Sequence, residues 1–307
     1  MSSLYLHVPF CRHKCIYCNF YSIESEVNRG RFCEGMDREI GFVGAGRERP
    51  RIETVFLGGG TPSLLTPDEI HRIVERLRLF YDIVESAEIT MECNPGSLNQ
   101  EWLEGYRDAG INRLSFGVQS FDNDDLRFLT RIHTAEEAER NIRDVRRVFD
   151  NVSLDLIFAL PDQTLDGWME NLRRAVDLGT DHISAYALIF EEGTPLHAMR
   201  LKGRVDPAPN EIEAAMYEKT VAFLVDNGLH QYETSNYARD GFACRHNIAY
   251  WERQGYDAFG PSAHSFDSGA GAYGTRRANV SSLTAWLQAV ESDTSAIIMR
   301  EELTQLE

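Results

Sequence analysis

The sequence predicts an α/β chain in which strand and helix alternate six times, a partial, TIM-like (β/α)6 barrel followed by a C-terminal extension. Three observations predict it. Short runs rich in β-branched and aromatic residues are separated by longer stretches of helical periodicity. Polar residues interrupt otherwise apolar strands at or just after their ends, the face on which such barrels carry their chemistry. The alternation stops near residue 230.

In chain order the strand runs are 4–8, 53–57, 87–92, 113–118, 153–158 and 182–189. Helical periodicity occupies 31–43, 67–80, 99–109, 134–149, 166–178 and 210–227. Thr66 followed by Pro67 is a helix start, and Gly110 and Gly228 are helix stops. Repeated strand, helix, strand units imply parallel strands joined by right-handed crossovers, in a sheet either curled toward a barrel or doubly wound. The polar strand ends favour the barrel. Residues 1–230 therefore form the barrel core. Residues 231–307 form an extension, aromatic and Gly-rich over 231–273 and helical over 283–290. Its last residues, 301–307, read as the start of a further helix, leading into a small C-terminal domain cut short by the end of the chain.

With 307 residues, of which 43% are hydrophobic, the chain can bury a full core. Lys and Arg total 31 against 48 Asp and Glu, and the resulting net charge of −17 repels phosphate backbones and anionic membrane surfaces. Nucleic acid is excluded as the main partner. The first residues enter a strand-like run with no basic region, apolar stretch and cleavage site, so the expected location is cytoplasmic. No run of about 18 apolar residues occurs, so no transmembrane segment is expected, and any membrane association is peripheral, through a partner.

Of six cysteines, Cys11, Cys15 and Cys18 fall on one short segment after the first strand, while Cys33, Cys93 and Cys244 are scattered. That distribution suits metal binding in a reducing compartment better than a disulfide framework. Three thiolates on one loop can hold three irons of a cubane cluster and leave the fourth iron without a protein ligand. Zinc is the competing metal, but a closed zinc site needs a fourth ligand, for which His13 and His7 are nearest. The Gly58-Gly59-Gly60-Thr61-Pro62 run lies between a strand and a helix, where glycines let backbone approach a ligand. It lacks both the P-loop ending and the Rossmann glycine spacing. Glu92 ends a strand and can accept bonds from ribose hydroxyls, Gln119 follows the next strand, and Arg131 is available to pair with a carboxylate. Asp155 sits between Leu154 and Leu156, so its carboxylate faces inward and needs a partner.

The cysteine loop resembles that of the radical SAM superfamily. Tyr5-Leu-His-Val-Pro-Phe-Cys11, Gly58-Gly-Gly-Thr-Pro62, Glu92-Cys-Asn-Pro95, Gly117-Val-Gln-Ser120 and Asp155-Leu-Ile-Phe-Ala-Leu-Pro161 resemble the oxygen-independent coproporphyrinogen III oxidase group, in the group's order, over about residues 4–266. The resemblance implies a 4Fe–4S cluster on Cys11, Cys15 and Cys18, with S-adenosylmethionine chelating the open iron. It implies that Gly59, Gly60 and Thr61 accept the methionine amino group, and that Glu92, Gln119, Arg131 and Asp155 hold the rest of that cofactor. Tyr5, Tyr17, Ala187 and His264 match positions that pack the nucleoside.

Within that group the oxidases carry a fourth cysteine where this chain has Phe20, preceded by Asn19, and an N-terminal extension ahead of the first strand. In both respects the chain is similar to the haem chaperones of the HemW type. His246-Asn247-Ile-Ala-Tyr250-Trp251 resembles their HNxxYW element, which implies haem binding. Imidazole is a common axial ligand, and aromatic rings pack on the porphyrin plane. Cys244 and His264 rank below His246 as ligands. The implied function is binding of haem and its delivery to membrane-associated haem-accepting proteins; a homodimer is left open. The alternative is a radical enzyme acting on a porphyrin, as in coproporphyrinogen III oxidation.

Overall fold

In a computed structural model of the chain, residues 2–96 and 98–304 are described. In chain order the elements are β1 (Ser3–Val8), α1 (Arg29–Gly44), β2 (Arg51–Gly59), α2 (Pro67–Phe80), β3 (Asp82–Cys93), α3 (Gln100–Asp108), β4 (Arg113–Gln119), α4 (Asn123–Phe128), α5 (Ala135–Val145), β5 (Val152–Phe158), α6 (Leu165–Asp177) and β6 (His182–Ala187). There follow α7 (Pro195–Leu201), α8 (Asn210–Asp226), β7 (His230–Gln231), β8 (Asn236–Ala238), α9 (Arg245–Trp251), β9 (Tyr256–Phe259), β10 (His264–Asp267), β11 (Thr275–Asn279), α10 (Leu283–Glu291) and β12 (Ile297–Glu302).

The helix starts follow from local chemistry. Thr66 caps α2 in a reciprocal capping box with Glu69, with Pro67 in the first turn, and Thr134 does the same for α5 with Glu137. Helices α4 and α7 were not anticipated, since six or seven residues are too few for periodicity to show. Each is nonetheless capped, by the Asp122 carboxylate and the Thr194 hydroxyl.

Strands β1 to β6 are parallel neighbours in sequence order, and the sheet stays open. The extension borders both of its sides. Strand β8 adds antiparallel to β6, β9 adds parallel to β1, and β10 to β12 continue antiparallel beyond β9. The expected helix at 301–307 is corrected in part: Glu301 and Glu302 belong to β12, paired with Arg276 and Thr275, while 305–307 lie outside the described residues. Pairing along a sheet edge overrides the weak helical preference of a Glu-containing end.

Alternation along the strands separates two environments. Leu4, Leu6, Val55, Leu57, Leu114, Phe116, Leu154 and Leu156 point outward into one core shared with the helices, and each buried aliphatic side chain contributes about 1.5–3 kcal/mol. The opposite face carries Thr54, Glu88, Glu92, Ser115, Asp155 and Ser184. Register brings these together: Thr54 is opposite Glu88, Glu92 opposite Ser115, and Asp155 lies between Gly117 and Ser184. A packed barrel would fill that space with branched apolar residues. Here Glu92, Ser115, Asp155 and Ser184, together with Phe56 and Ile157, face a cavity.

Candidate functional site

The cysteine loop leaves β1 at the C-terminal end of the parallel strands. Its entry is tied by the Cys11 amide donating to Ile23 O (3.0 Å) and the Ile23 amide to Pro9 O (2.7 Å). Farther along, the Ile16 amide donates to Thr130 Oγ1 at 3.2 Å and the Leu196 amide to Ile16 O at 3.0 Å, so the loop is held from three sides. All three thiols are free. Thr61 Oγ1 donates to Cys11 Sγ (3.5 Å) and Arg131 Nη1 to Cys15 Sγ (3.4 Å), so each sulfur is oriented by a neighbouring loop.

These thiols stand at one end of a cavity of about 410 Å³. Gly59, Gly60 and Thr61 after β2, Glu92 at the end of β3, Gln119 at the end of β4, Asp155 in β5 and Ala187 at the end of β6 all line it, as do Tyr17 and Arg131. The residues chosen from the sequence thus meet at one site. Tyr5 and His264 are not in its lining. Tyr5 stacks on Phe56 and its hydroxyl reaches His7 Nδ1, while His264 is exposed at the start of β10.

The glycine run has a steric cause as well as an open face. A Cβ at Gly59, where φ is +109°, would lie 2.7 Å from the His7 ring, and one at Gly60 would lie 2.6 Å from Phe10 O. Only glycine lets this turn pass beside β1. Gln119 is left-handed at φ +71°, where the register of β4 against β5 shifts, an unusual backbone for a residue with a side chain.

Burial and the neighbouring Asp155 push Glu92 up to about 8, so its carboxyl is neutral at pH 7 and accepts the Gly59 amide at 3.1 Å. Burial also raises Asp155, opposed by hydrogen bonds from Ser184 and Ser115. Arg131 donates through Nη2 to Asn94 Oδ1 (2.6 Å) and Gly117 O (2.5 Å), and its Nε is buried without a partner. Asn94 in turn donates to Thr61 Oγ1 at 2.8 Å, joining three loops. Asn94 and Ser184 were not singled out from the sequence; the motif Glu92-Cys-Asn-Pro95 contains the signal for the first, and strand alternation the signal for the second.

The donor set fits an iron–sulfur cluster. Three thiols are available, and His7 and His13, the candidates for a zinc ligand, are engaged elsewhere. His7 Nε2 bonds Tyr21 O at 2.8 Å, and His13 pairs with Glu24 at 3.1 Å. Among the described residues no three His, Cys, Asp or Glu side chains converge as a single-ion site requires. The free Nε of Arg131 and the neutral Glu92 suit a zwitterionic, ribose-bearing ligand between them.

The HNxxYW residues lie at the other end. Helix α9 crosses beneath the N-terminal ends of β2 and β3, where Glu88 accepts the amides of Arg245 (3.0 Å) and His246 (3.2 Å). Only Asn247 of the four lines the cavity. The sequence offered His246 as an axial ligand, yet its ring is 1% exposed, with Nδ1 bonded to Thr54 Oγ1 (2.8 Å) and Nε2 to Tyr250 Oη (3.0 Å). It stacks on Phe56 at 5.1 Å, and burial pushes it down to about 3. Tyr250 and Trp251 are 39% and 65% exposed. Cys244 is fully buried, its thiol toward Glu88 at 3.5 Å.

Comparison with known proteins agrees with the geometry. Residues 5–181 match the Radical SAM superfamily. The chain is 34% identical to the heme chaperone HemW of Bacillus subtilis over 99% of this chain and 82% of that protein, and 36% identical to the heme chaperone HemW of Synechocystis over 93% and 71%. Among solved structures, coproporphyrinogen III oxidase of Escherichia coli aligns with TM-score 0.82 over 98% of this chain and 72% of that one, at 24% identity, a likeness of fold. No described helix is long and apolar enough to cross a membrane.

Proposed function

The chain belongs to the radical SAM superfamily and to the family that includes the heme chaperone HemW, and from that premise we propose that it binds haem and passes it to membrane-associated haem proteins, with a 4Fe–4S cluster and S-adenosylmethionine enabling the transfer. The observation that carries the cofactor half is the opening of Cys11, Cys15 and Cys18 onto one cavity with Arg131 and a neutral Glu92. In this reading the three cysteines hold the cluster. Arg131 takes the methionine carboxylate, Gly59, Gly60 and Thr61 take the amino group, and Glu92 and Asp155 bind hydroxyls. Gln119, Tyr17 and Ala187 wall the nucleoside, with Tyr5 behind Phe56 of that wall, while His264 stands outside it. When reduced, such a cluster supplies the electron that breaks the sulfonium bond. The residues of this chain orient the cofactor and limit water around it.

Haem is the cargo. Trp251 and Tyr250 offer exposed aromatic surface for a porphyrin plane, and Asn247 offers a polar group beside it. His246 can ligate iron only after its bonds to Thr54 and Tyr250 open, so fold and haem compete for one imidazole. Anaerobically reconstituted protein given haem and coproporphyrinogen III in parallel tests the reading. Stable haem binding without porphyrin turnover supports it; turnover without haem binding would replace it with the oxidase reading.

A further inference from the structure

Arg113 is not used by the site described above. It opens β4, is 1% exposed, and lines the cavity at the end opposite the cysteines. Gln119 lies six residues farther along the same strand, about 20 Å away at the usual strand rise. Its Nε is buried without a partner, and among the described residues no hydrogen bond or ion pair of its side chain occurs. The Glu88 and Asp155 carboxylates face it electrostatically, but each takes its hydrogen bonds from other donors. Glu88 accepts two amides of α9 and faces the Cys244 thiol, and Asp155 is held by Ser115 and Ser184. These charges offset the burial of the guanidinium without giving its Nε an acceptor, and a buried donor left without an acceptor is costly unless something arrives to pair with it.

We propose that Arg113 recognises a carboxylate on a ligand that occupies the cavity floor, distinct from the methionine carboxylate at the cluster end. Guanidinium matches carboxylate as a planar fork, and the surrounding Ser115, Ser184 and Asn247 offer further hydrogen-bonding groups. The carboxylate comes either from a tetrapyrrole propionate or from a small free acid. The first source rests on the haem reading above; the assignment of Arg113 does not.

The test uses the full chain, anaerobically reconstituted and loaded with S-adenosylmethionine, as wild type, R113M and R113K. Binding of haem, haem dimethyl ester and succinate is measured by absorbance titration and by shift in melting temperature, with iron content as control. The melting temperature of ligand-free R113M serves as the baseline for its own shifts, because the substitution removes both the Nε donor and the charge that faces Glu88 and Asp155. Wild type should prefer haem to its ester by about tenfold or more, the worth of a charge-assisted bond, with R113M indifferent and R113K intermediate. A response to succinate in wild type but not R113M, with no haem binding, would assign a free acid and sink the haem reading alone. Equal responses of wild type and R113M to every carboxylate, including none, would overturn the proposal. Should R113M fail to fold, R113K decides it: unweakened discrimination between haem and ester, or between succinate and buffer, overturns the assignment.

Discussion

Replacing His246 by Ala should destabilise the ligand-free protein whatever it does to haem. The substitution removes the bonds to Thr54 Oγ1 (2.8 Å) and Tyr250 Oη (3.0 Å) and the stack on Phe56 at 5.1 Å. At about 1 kcal/mol for each hydrogen bond and a similar amount for the ring contact, the loss is about 3 kcal/mol at pH 7.5. With unfolding entropy near 2.1 cal/mol/K per residue, that lowers the melting temperature by about 5 °C. The loss should shrink in acid. His246 is pushed down to about 3 in the folded chain against its ordinary 6.5, so between these values the unfolded chain binds a proton that the native state excludes. Wild type therefore loses stability as pH falls below about 6.5, by about 2 kcal/mol from this residue at pH 5, and H246A does not. The gap between the two proteins should narrow to about 1 kcal/mol at pH 5. Urea unfolding of the ligand-free proteins at pH 7.5, 6 and 5 measures it, with haem titrations on the same samples. An H246A protein as stable as wild type at pH 7.5, yet without the wild-type Soret band, would show an imidazole free to ligate and refute the reasoning.

Two further outcomes follow from the cavity. Glu92 is raised to about 8 from an ordinary 4.5, so the stability it contributes is full below about 4.5 and is lost as pH rises toward about 8. E92Q, always neutral, should be more stable than wild type at pH 8 and equal to it near pH 4.5; parallel urea curves across that range would contradict a protonated Glu92. C15A should lose the iron, sulfide and visible absorption of the reconstituted protein, while C33A, C93A and C244A, whose residues are buried and stand outside the three-cysteine loop, should keep them. Wild-type iron in C15A would mean that another residue holds the cluster.

The parallel strands and their helices were legible because their causes are local. Apolar alternation in 113–118 and 153–158, the Thr66 and Thr134 caps, and glycine stops act within a few residues of one another, so they read directly from the chain. The cysteine loop and the strand-end residues Glu92 and Gln119 were legible for a related reason: a parallel sheet with right-handed crossovers carries all strand ends to one face, whatever lies between them, while Asp155, in the middle of β5, was legible as a carboxylate between two leucines. The role of His246 was not. A histidine beside aromatics has the same spelling whether its nitrogens face a ligand or Thr54, 192 residues away, and only packing of α9 under β2 and β3 decides between them. Arg113 hid for the same reason, since an arginine at the start of a strand reads as solvated. What buried it was the closure of the cavity floor by residues 232–250, a contact between distant segments whose free energy no local pattern encodes.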